Sequence, residues 1–215
     1  MRFAAVIDEK YRRSVEDALA AIADLGTEEQ KKIIGHIVAS EMQIRVRPVS
    51  EINGSGVTGL IDPGETNDRI ADERMNVREA LGEIYIAIAE ETIDTGGQRG
   101  CEGTLVHEGR HAYDFARTIE SFSHAETNPL SIFDPTLFEL EWAAHKISGE
   151  YMLCVNQDEY LHEGLHLMIL GREHETAPCF VDDYGITRRL RESYNLERGQ
   201  NEGPTASQLL GLHLP

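Results

Sequence analysis

Apolar positions recur along the chain with two periods. Between Ser14 and Leu25, Val15, Ala18, Leu19 and Ile22 fall three and four apart, the spacing of one helix face, and Gly26 supplies a stop. Thr27-Glu-Glu-Gln30 has the form of a capping box, and Ile33, Ile34, Ile37 and Val38 follow on one face, which predicts a second helix. Residues 42–49, MQIRVRPV, alternate as a strand does. Asn53-Gly54 and Gly56 bring turn chemistry, and VTGLID at 57–62 is expected to pair back. A polar stretch containing PGETND and a helix through Arg78 come next. EIYIAIAEE at 83–91 is the second clear strand, with Ile84, Ile86 and Ile88 alternating with Tyr85, Ala87 and Ala89.

A Gly-rich loop, DTGGQRG, then leads into CEGTLVHEGRHAYDFARTIE, which reads as a helix of about 18 residues. A loop rich in Ser, Asn, Asp and Pro at 121–135 precedes another long helix, PTLFELEWAAHKISGEYMLCV, opened by a proline in its first turn. QDEYLHEGLHLMILGREHE also has helical spacing, and a last helix is expected near 186–196. The pattern predicts one α+β domain over residues 1–198, with helices packed on a small mixed β-sheet, and a flexible tail over 199–215.

Composition narrows the function classes. At 215 residues the chain can bury one sizeable core, and 40% hydrophobic with 27% charged residues is ordinary for a globular protein. A net charge of −18 excludes the basic face that binding to nucleic acid requires. No run of 18 apolar residues suggests a membrane span. The start, MRFAAVIDEKYRRSVEDA, has acidic residues directly after its short apolar patch and no A-x-A pattern, so no signal peptide is expected. Cys101, Cys154 and Cys179 form no C-x-x-C pair, and the expectation is free thiols in a reducing cytoplasm. Oligomeric state is left open.

The candidate chemistry lies in VHEGRHAYDF, residues 106–115. On a helix, residues four apart share a face, so His107 and His111 can point two imidazoles at one metal ion. Glu108, one residue on, is suited to act on water bound to that ion, taking its proton as it attacks a carbonyl. A third protein ligand is still required. The following helix supplies it in FELEWAAHKISGEYM: Glu141 is the first choice, Glu139 the second and Glu150 the third. Glu141 has a small residue, Ala144, three positions on, which lets two helices approach closely.

Thr-Leu-Val-His-Glu-Gly-Arg-His-Ala-Tyr-Asp, residues 104–114, followed about thirty residues later by Glu-x-x-Ala, resembles the minimal gluzincin pattern of H-E-x-x-H zinc metallopeptidases. That pattern occurs in small metallopeptidases paired with transcription regulators and in toxin- or phage-associated domains. The resemblance covers roughly residues 83–150. It implies a zincin-like fold with the metal-site helix following the edge strand, and one Zn²⁺ held by His107, His111 and Glu141. It also implies Glu108 as general base and a peptide or protein substrate aligned by strand addition, here on an edge strand near 84–89. Asp114, three after His111, resembles the H-E-x-x-H-x-x-D variant. Its expected role is to orient a ligating histidine, with a solvated helix acid as the alternative.

Fifty-five residues on, LHEGLHLMIL repeats the motif at His162 and His166. No strand precedes this copy and no Glu-x-x-Ala follows, so it is expected to form a polar helix face. A middle reading places His162 or His166 in the cleft as a stabiliser of the oxyanion, a role for which Tyr151 and Tyr160 compete. His145, four after Glu141, is expected to be a half-buried structural histidine, with contact to the site as the alternative. The reading that follows is zinc-dependent peptide-bond hydrolysis. Two alternatives stand beside it: a catalytically silent domain of the same shape used for binding, and a helical protein without metal.

Overall fold

The computed structural model describes residues 1–123, 129–155 and 169–213. After a two-residue strand β1 (Arg2–Phe3), helices α1 (Glu9–Leu25) and α2 (Glu28–Ala39) form a pair. α1 begins five residues before the predicted Ser14, because the Asp8 side chain accepts from the Lys10 N–H and caps it there. α2 opens on the predicted capping box of Thr27 and Gln30. Strand β2 (Gln43–Arg47), a single-turn helix α3 (Val49–Ile52), strand β3 (Gly56–Leu60) and helix α4 (Pro63–Ala71) follow. A 3₁₀ segment (Val77–Glu83) then runs into strand β4 (Ile84–Ala89).

The sheet is mixed, in the order β1-β2-β4-β3, with β1, β2 and β4 parallel and β3 antiparallel to β4. Two sequence expectations change here. The 57–62 segment pairs with β4, Thr58 opposite Ile86, and not back on β2. The segment expected at the edge, 84–89, is an inner strand, and the edge belongs to β3. The reason is visible in β4 itself: Ile84, Ile86 and Ile88 on one side and Ala87 and Ala89 on the other are all buried, so neither face could be left to solvent.

α5 (Glu90–Phe122) packs against β4, β3, α1, α2 and α6 (Leu137–Cys154), and runs through the middle of the core. The predicted Gly-rich loop is helical except at Gly97, whose φ of 58° and ψ of −152° break the helix in two. A positive φ of this kind suits glycine alone among ordinary residues. The two pieces then meet closely, since a Cβ on Gly100 would lie 2.7 Å from the Thr92 carbonyl oxygen.

Beyond α6 lie the short pair β5 (Leu170–Gly171) and β6 (Phe180–Val181), then α7 (Asp183–Tyr194) and α8 (Ala206–Leu210). The segment expected to be a loose tail is part of the core as far as it is described: Ala206, Leu210 and Leu212 are buried. It closes over the start of α6. The N–H groups of Leu137 and Phe138, which have no partner within their helix, donate to the carbonyls of Pro204 and Glu202 at 2.8 and 2.9 Å. No helix among the described residues is long and apolar enough to cross a membrane.

Candidate metal centre

Gly109 explains how the motif helix comes to sit against α2. A Cβ there would lie 3.0 Å from Ile37 Cδ1, so the glycine inside HEGRH lets the two helices close up. With that face packed, His107 and His111 turn toward α6. Their Nε2 atoms lie 3.2 Å apart. Glu141 completes the triangle, its Oε1 3.4 Å from His111 Nε2 and its Oε2 3.5 Å from His107 Nε2. Of the three glutamates, Glu141 is the one brought to the two imidazoles. Glu139 caps its own helix, its carboxylate accepting from the Thr136 N–H at 2.9 Å, and Glu150 is not in the cluster. Thr136-x-x-Glu139 is a capping box, a local signal that argues against Glu139 as a ligand.

Four-coordinate zinc binds N and O donors at about 2.0–2.2 Å, which spaces neighbouring donors by about 3.3–3.5 Å. The separations of 3.2, 3.4 and 3.5 Å are near that edge, the two from Glu141 running from its two different oxygens; with one donor atom per residue, all three lie within 4.8 Å of one another. Glu141 Oε2 is moreover buried without a hydrogen-bond partner among the described residues. A carboxylate oxygen is rarely left so, because desolvation goes uncompensated. Burial resists charge on Glu141, yet the neighbouring imidazoles of His107 and His111 hold its carboxyl far below the usual carboxylate range. Burial likewise works against charge on His111, but Glu141 overrides it and raises the imidazole.

No family model, curated protein or solved structure matches the chain.

The remaining expected residues divide clearly. Glu108 is buried at 7% exposure and lines the same cavity of about 600 Å³ as His107 and Glu141. His145 touches the cluster, its Nε2 3.8 Å from Glu141 Oε2 and its ring centroid 4.9 Å from that of His107. Burial, then the charge of His107, lowers His145 to about 3, so its Nε2 is an acceptor and takes the Arg189 Nε–H at 3.3 Å. Asp114 is buried, which rules out a solvated acid. Its Oδ2 accepts from Arg110 at 2.7 Å, and Arg110 reaches Glu29 on α2 at 2.8 Å. No hydrogen bond joins it to His107 or His111 among the described residues, so it anchors α2 and α5, although its charge adds to the raising of His111. Tyr160, His162 and His166 lie outside the described residues.

Tyr151 does not face the site. It is wholly buried, its hydroxyl donates to Glu102 at 2.9 Å, and its neighbours Ser148 and Met152 line the cavity instead. Tyr151→Phe should therefore lower stability by about 1–3 kcal/mol, the usual result of leaving a buried acceptor short of a donor. Metal uptake at His107, His111 and Glu141 per folded molecule should not change. Thermal unfolding alongside metal titration checks both. Cys101 is buried too. Its Sγ lies 3.7 Å from the Ser14 carbonyl, and burial pushes the thiol up to about 12.

Four residues beside the site escaped the sequence reading. Arg189 and Tyr194 come from α7, and Tyr194 stacks edge-on to His145 with centroids 6.0 Å apart. Burial, then the charge of Glu141, raises the Tyr194 hydroxyl, keeping it a proton-bearing donor. Nothing in the spacing of α7 marks these two. The other two, Gly56 and Thr58, lie on β3 against Glu108. Gly56 reads in the sequence as turn chemistry ahead of the strand expected at 57–62, and its place inside β3 emerges only from the fold.

Proposed function

We propose that the chain is a zincin-like metallopeptidase that hydrolyses peptide bonds with an activated water. The observation that carries this reading is the cluster of His107, His111 and Glu141, whose donor atoms lie within 4.8 Å of one another, with the Glu108 carboxylate in the same cavity. The three residues would hold one zinc ion, which when bound supplies a Lewis acid that polarises a carbonyl and makes water nucleophilic near neutral pH. Glu108 takes a proton from the attacking water and returns it to the leaving amine. Arg189 and Tyr194 bring N–H and O–H donors to the cavity for charge that develops on the carbonyl oxygen. β3, as the edge strand, offers its outer side to an extended peptide.

The test joins metal content to cleavage. Protein dialysed after zinc loading should keep about one ion per chain and should cleave fluorescently labelled casein in a chelator-sensitive way. Metal content near zero overturns the reading. Retained zinc with no cleavage of casein or of a degenerate peptide library points to the silent binding domain instead.

A further inference from the structure

Resting on that hydrolase reading, we infer that Thr58 and Gly56 of the edge strand are positioning residues for Glu108. Residues two apart on a strand share a face, and this pair turns its shared face to the motif helix. The Thr58 hydroxyl lies 2.8 Å from Glu108 Oε2 and 3.1 Å from the Glu108 carbonyl oxygen. A hydroxyl has one proton to give. The shorter contact and the charge on the carboxylate favour Oε2. Gly56 acts by what it lacks. A Cβ there would sit 2.6 Å from Glu108 Cγ, 3.0 Å from Oε1 and 2.7 Å from Thr104 Cγ2. Any larger residue has to push the glutamate out of its place.

The two effects are complementary. Thr58 holds one carboxylate oxygen, and Gly56 leaves room for the rest of the side chain. With Oε2 held, proton transfer falls to Oε1. The strand whose outer edge would receive substrate thus fixes the base on its inner face, so base and scissile bond are set in register by one element.

The positioning role predicts a split between turnover and binding. Thr58→Val keeps shape and β-branching and removes only the donor. With labelled casein, kcat should fall roughly tenfold, with KM within about twofold and zinc content unchanged. Thr58→Ser restores the hydroxyl and should return kcat to within about threefold of the parent. Gly56→Ala approaches the same point from the other side and should lower kcat with zinc retained. Crystal structures of the Val and Ser variants give a readout independent of activity: the Glu108 carboxylate moves in the first and stays in the second.

Parent-like kcat and an unmoved carboxylate in Thr58→Val overturn the inference. So do equal losses in the Val and Ser variants, which indicate a packing role. If the zinc-loaded parent cleaves neither casein nor a peptide library, the hydrolase reading fails. The crystallographic comparison then still decides whether Thr58 fixes the side chain.

Discussion

Glu108→Gln is expected to lower turnover by roughly 10³-fold while leaving the zinc stoichiometry and KM near those of the parent protein. Glutamine matches glutamate in size and keeps an amide oxygen to accept from Thr58, now 2.8 Å from Oε2, so the β3 contact survives. What it loses is the ability to take a proton and give it back. Glu108 is not one of the three clustered donors, which is why the ion should stay. A steady-state comparison on labelled casein, with metal content measured on the same samples, checks the claim. Parent-level turnover in the Gln variant would remove Glu108 from the chemistry. A parent protein that holds zinc but cleaves nothing would move the whole chain to the binding class.

Removal of the third donor should act on the metal itself. Glu141→Ala is expected to weaken zinc binding by at least about 100-fold, since even outer partners of ligands carry 10–100-fold effects. Turnover should vanish at trace zinc. The local reason is the cluster: without Glu141 the two imidazoles remain 3.2 Å apart with no third donor from α6. His107→Ala and His111→Ala should behave alike, while Glu139→Ala should retain zinc and lose only the α6 cap, worth about 1 kcal/mol. Competition against a chromophoric chelator measures each variant. Unchanged affinity in Glu141→Ala together with loss in Glu139→Ala would mean that the wrong carboxylate was assigned.

The capping boxes of α2 and α6, the helix faces of α1 and α2 and the alternation in β2 are contained in three- or four-residue neighbourhoods. Rotation per residue and local hydrogen bonding dictate them, so they were legible in the sequence. The same holds for His107 and His111, which one helical turn brings together wherever that helix packs. β4 could have been read as an inner strand as well, because both of its alternating sets are apolar. What local pattern does not contain is which distant segments meet.

That the edge strand is Gly56–Leu60, that its Thr58 meets a glutamate fifty positions away, and that α7 brings Arg189 and Tyr194 into the cavity are properties of the packed chain. So is the burial of Ala206, Leu210 and Leu212 in a stretch whose polar composition reads as a tail. Sequence alone determined the helix that carries the two imidazoles and the glutamate between them, because those groups are one turn of backbone apart. Tertiary structure decided which carboxylate joins the two imidazoles and which strand holds Glu108. Those contacts depend on how separate elements compete to bury their apolar faces, which no local window records.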